Sequence, residues 1–84
     1  MRVQTYRDEL AEKLVDIAMK LQLAADRCDP GRKARRHWDA VQTSAAAHLV
    51  RTGVYSLEMG EVMVQAAQQL IDRADHLDDA GAKR

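Results

Sequence analysis

The chain has 84 residues, the length of one domain, with 13 basic and 13 acidic side chains in balance and a single cysteine. That balance excludes a polyanion binder acting through net charge, and Cys28 alone excludes an intramolecular disulfide. The apolar runs are too short for a transmembrane helix, and Met1 to Glu9 offers no apolar signal segment, so we expect a cytoplasmic protein away from membranes.

At 46% hydrophobic, rich in Ala, Leu, Gln and Arg, the composition favours helix over disorder. Two breaks divide the chain, Asp29-Pro30-Gly31 and the stretch from Gly53 to Ser56. The first helix is expected over about 5–28. Thr5 with Asp8 resembles a capping box, and Asp8, Glu9 and Glu12 suit the positive end of the dipole. Its apolar spine is Tyr6, Leu10, Leu14, Ile17, Leu21, Ala24 and Cys28, with Val15, Met19 and Leu23 off the spine.

The second helix is expected over 30–52, with Asp29 as N-cap and Pro30 in its favoured first position. The predicted spine is Ala34, Trp38, Val41, Ala45, His48 or Leu49, and Thr52, with Trp38 as its central packing residue. The third helix is expected over 57–78, capped by Ser56. Its spine is Gly60, Met63 or Val64, Ala67, Leu70 or Ile71, Ala74 and Leu77. A polar tail at about 79–84 is expected to fray. Short connections make neighbours antiparallel, so the expected fold is all-α, an up-down-up three-helix bundle over 1–84. A long helical hairpin paired with a second copy is the structural alternative.

Two features exceed the needs of one bundle. The apolar arc of the third helix spans about 220°, where a surface helix needs little more than about 100°. Residues 40–50 and 62–71 carry no Asp, Glu, Lys or Arg. We therefore expect self-association, with Ala40, Thr43, Ala47, Val50, Val62 and Ala66 as interface residues.

The second feature is the cluster Arg27, Arg32, Lys33, Arg35, Arg36 and His37 around the first turn of the second helix, where cations oppose the dipole. Two readings stand. Arg32, Lys33, Arg35 and Arg36, with Trp38 nearby, form a partner-binding site for an acidic surface or phosphate. Alternatively Asp72, Asp75, Asp78 and Asp79, at the same pole, neutralise the cluster.

Phosphate-loop, dinucleotide and Cys-x-x-Cys motifs are absent from the sequence. Asp72 and His76 are a solvated pair more readily than metal ligands, and Cys28 reads as a small core thiol. No nucleophile, base and orienting acid come together. We expect no catalysis, no cofactor and no metal. The segment 47–70 has the outline of a helix-turn-helix, but its second helix opens Leu57-Glu58-Met59-Gly60-Glu61, two carboxylates where DNA would approach.

In its size, helical content and lack of catalytic motifs the chain resembles the small all-helical accessory proteins of phages and mobile elements, such as anti-CRISPR and anti-activator inhibitors. That resemblance implies a non-enzymatic protein that binds and inhibits or adapts a larger protein partner. The alternative is a small nucleic-acid-binding regulator using the same basic cluster.

Overall fold

The computed structural model describes the backbone of residues 3–27 and 29–82 and the side chains of residues 4–27 and 29–73. Three helices follow in order, α1 (Val3–Asp26), α2 (Pro30–Arg51) and α3 (Leu57–Ala82). The protein is an all-α three-helix bundle, elongated at 48 × 19 × 15 Å. α1 packs against both other helices and most extensively against α2, whereas α2 and α3 touch least. Leu10 and Val50 both approach Gly60, and Leu21 and Leu70 line one cleft, so α1 and α3 run parallel and α2 runs antiparallel to both.

The helix ends follow local chemistry. Asp29 is extended at the N-cap of α2, and its carboxylate accepts from the Arg32 amide at 3.1 Å. α2 closes on Gly53, whose φ of 86° suits a residue without a side chain. The Gly53 amide donates to the Val50 carbonyl and the Tyr55 amide to the Leu49 carbonyl. Ser56 caps α3, its hydroxyl accepting from the Met59 amide at 3.1 Å. Thr5 does not cap α1. The helix already includes Val3, and Thr5 is exposed within it. Nothing at Val3 or Gln4 breaks a helix, and the Gln4 amide donating to Asp8 at 3.1 Å supports the first turns. α3 likewise continues to Ala82, four residues past the expected end at 78.

The α1 spine is buried as its spacing predicts from Leu10 to Ala24, with Tyr6 half-buried at its start, joined by a second stripe of Ala11, Ala18 and Ala25. The α3 spine holds from Gly60 to Ile71; Ala74 and Leu77 lie outside the described side chains, and Cys28 outside the described residues. α2 is where expectation and structure part. Its buried face is Arg36, Ala40, Thr43, Ala46, Ala47 and Val50. Trp38 is 62% exposed and Val41 47%, and Ala34, Ala45, His48 and Thr52 are also exposed.

The reason is steric. Ala11, Ala18 and Ala25 repeat every seven residues on α1, and a stripe that small brings the facing backbone close. Along the middle of α2 the small side chains Ala40, Thr43, Ala46 and Ala47 fill the gap. Thr43 is accommodated by turning its hydroxyl to the Asp39 carbonyl at 2.8 Å. Among the described residues, eight of the fourteen buried apolar side chains are alanine. Leu14, Leu21 and Val50 are the largest fully buried ones. No buried side-chain nitrogen or oxygen among the described residues lacks a partner.

This also corrects the expected oligomer interface. Ala40, Thr43, Ala47 and Val50 pack inside the bundle and are at most 5% exposed, Ala40 reaching the surface only at the floor of a groove between α1 and α2. Val62, 56% exposed, and Ala66 remain at the surface.

Candidate functional site: an arginine-lined cleft

Because α2 and α3 touch so little, a cleft of about 440 Å3 opens between the start of α2 and the later turns of α3. Arg32, Arg35, Arg36 and Asp39 line one wall. Their spacing of 3, 4 and 7 from the first puts all four on one helix face. Leu70 and Arg73, three apart on α3, supply the other wall, and Leu21 of α1 lies at the back. Four arginines thus line the cleft together with Leu21 and Leu70, and Asp39 is the carboxylate among the lining residues.

The electrostatics favour an anion. The cations sit at the positive end of the α2 dipole, where they repel the helix's own exposed amides and where a negative group is stabilised. Guanidinium forks also match carboxylate or phosphate oxygens two at a time. Arg32 and Arg35 are exposed, whereas Arg36 is only 7% exposed and engaged by the protein's own groups. Arg36 therefore serves the fold as well as lining the cleft.

The residues expected at this site divide. Arg32, Arg35 and Arg36 are brought together. Lys33 is exposed and does not line the cleft. Trp38 stands on the solvent side, one turn beyond Arg35 and outside the lining. Arg73 was not among the expected residues. It lies in the acidic end of α3, where it reads as one charge among many. The signal that reveals it is its three-residue spacing from Leu70 together with the up-down-up order. Of the acids expected to neutralise the cluster, Asp72 is exposed and accepts from Gln68 at 3.0 Å, and it is not part of the cleft wall. Asp75, Asp78 and Asp79 lie outside the described side chains.

Among the described residues no group of three His, Cys, Asp or Glu side chains is placed to hold a metal ion, and no helix is long and apolar enough to cross a membrane. The chain is an all-α bundle with a cationic interhelical cleft. Compared with known protein families, curated proteins and solved structures, it finds no match.

Proposed function

We propose that the protein is a non-enzymatic interaction module that grips an acidic segment of a larger protein in the α2–α3 cleft, blocking or adapting that partner as the phage inhibitors it resembles do. One observation carries the reading: Arg32, Arg35 and Arg73 converge from two helices on one apolar-backed cleft. A charge-lined groove with Leu21 and Leu70 behind it suits an amphipathic acidic peptide, whose carboxylates meet the arginines while its apolar side chains meet the leucines.

The test is affinity capture from cell lysate with and without nuclease, comparing the natural chain with Arg32→Glu/Arg35→Glu/Arg73→Glu. Arg36 is left alone, because reversing a buried charge would threaten the fold. One stoichiometric protein that survives nuclease and is lost with the variant supports the reading. Recovery that collapses with nuclease, together with steep salt dependence, overturns it in favour of a nucleic-acid regulator. Capture that the variant leaves intact removes the cleft from the reading.

A further inference from the structure

We propose that the open face of α1 and α2, on the side away from the arginine cleft, is a dimer interface that takes a second copy of this chain, α1 of each protomer lying antiparallel on α2 of its partner. The inference goes beyond the cleft and does not depend on it.

The face has an unusual composition. On α1 the stripe Asp8, Glu12, Val15, Met19, Gln22 and Asp26 repeats at alternating steps of four and three, the period of one helix side. On α2 the stripe Lys33, His37, Val41, Ser44, His48 and Arg51 does the same with one extra step of four. The middles of the two stripes border a shared groove of about 290 Å3, lined by Val15, Met19, Gln22, Val41 and Ser44 with Ala18 and Ala40 beneath. No charged residue lines it. Met19 is 61% exposed, and Trp38 flanks the groove one turn from Val41. On α2, Trp38 and Val41 therefore face out while Ala40, Ala46 and Ala47 face in.

A core so rich in alanine removes little apolar area per residue, which is the circumstance in which a chain of this size gains from self-association. α1 is about 36 Å long at 1.5 Å per residue, and two adjacent helices are about 20 Å wide. The face thus offers on the order of 700 Å2, near the roughly 800 Å2 per partner of a standard interface.

Charge identifies the occupant and its orientation. The ends of the α1 stripe are acidic (Asp8, Glu12, Asp26), and those of the α2 stripe are Lys33 and Arg51 with His37 and His48 between. Leu10 lies with Val50 and Val15 with Ser44 across the hairpin. By that register Asp8 is level with Arg51, Glu12 with His48 and Asp26 with Lys33. A twofold axis parallel to the helices lays α1 on the partner's α2 at the same level. It sets acid on base at both ends and Met19 and Val41 in a dry centre. The other twofold arrangement sets α1 on α1, acid on acid, and is disfavoured. A foreign partner has no reason to repeat this register.

The experiment is sedimentation equilibrium of the full chain over a range of concentrations, with helicity followed by circular dichroism. The natural chain is expected at twice the protomer mass, and Val41→Glu to raise the dissociation constant at least about tenfold. Asp8→Lys/Asp26→Lys makes both edges basic, and Lys33→Glu/Arg51→Glu makes both acidic. Each is expected to weaken self-association, and their equimolar mixture to restore a dimer. A natural chain that stays monomeric overturns the proposal. So does a dimer that these charge reversals leave unchanged, or a mixture that fails to associate. Protein capture through the arginine cleft can fail or succeed without altering any of these outcomes.

Discussion

The guanidinium of Arg7 donates to the main-chain carbonyl of Tyr55 at 2.7 Å, and the same nitrogen reaches the Val50 carbonyl at 3.2 Å. A side chain from the second turn of α1 thus closes the C-terminal end of α2 and the turn into α3. The positive charge lies where the α2 carbonyls concentrate negative potential, and it supplies donors that the helix end lacks.

Removing that contact is expected to destabilise the whole bundle. Arg7→Ala should lower the unfolding free energy by about 1.5–3 kcal/mol, the range for hydrogen bonds from a charged group. Urea denaturation followed at the helical band measures it. A loss within about 0.5 kcal/mol, the scale of an ordinary surface substitution, would show that the contact adds nothing.

At Gly60 the three helices come close together. A Cβ there would lie 3.2 Å from Leu10 Cδ1 and 3.3 Å from both methyl carbons of Val50. Gly60→Ala gains about 1 kcal/mol of helix propensity but must displace two core side chains, at about 1–3 kcal/mol. A net loss in denaturation is expected, partly recovered by adding Val50→Ala. Gly31→Ala, whose new Cβ would meet nothing nearer than Asp29 at 4.0 Å, is expected to be neutral or mildly stabilising.

Trp38 provides a direct reading of which face of α2 is buried. Its indole, 62% exposed, is expected to emit at the long wavelength of a hydrated tryptophan in the monomer and to be quenched readily by iodide. Trp38→Ala should change monomer stability by less than about 1 kcal/mol, against the roughly 3–5 kcal/mol of a buried tryptophan. Leu14→Ala, at a fully buried position, should cost about 2–5 kcal/mol.

Tyr6 links the stability of the bundle to alkaline pH. Partial burial raises its phenol above the ordinary value, and the Glu61 carboxylate adds to the rise by its charge and by accepting the phenolic hydrogen bond, with Glu9 contributing further. A pKa raised by folding means that the native state holds the proton more tightly than the unfolded chain. The contribution is therefore complete below the unfolded value and is lost as pH rises through the folded one. Thermal unfolding from neutral to strongly alkaline pH should show a falling midpoint that Tyr6→Phe partly flattens. Equal slopes for the two chains would count against the Tyr6–Glu61 link.

The two breaks, the starts of α2 and α3, the helix order and two of the three buried faces were legible because capping residues and apolar spacing are local properties, whereas the start of α1 and the end of α3 carry no such mark. The face of α2 was not. Two stripes, Ala34-Trp38-Val41-Ala45 and Arg36-Ala40-Thr43-Ala47-Val50, share the same period, and hydropathy selects the first. The deciding information sits on another helix, in the seven-residue repeat of Ala11, Ala18 and Ala25, which admits only small partners. In the cleft, Arg32, Arg35 and Arg36 were visible as a run, but Arg73 needed the third helix laid beside the second. Arg7 had no local mark at all, since its acceptors are main-chain carbonyls 43 and 48 residues away.

That separation has a consequence for how the chain is made. During synthesis Arg7 leaves the ribosome 48 residues ahead of Tyr55, so α1 is already available when the second turn emerges. The α2–α3 corner can then be fastened without waiting for any later part of the chain. Moving α1 to the other end of the chain by circular permutation, with a linker that runs back along the bundle, would leave that corner unfastened until the last residues are released.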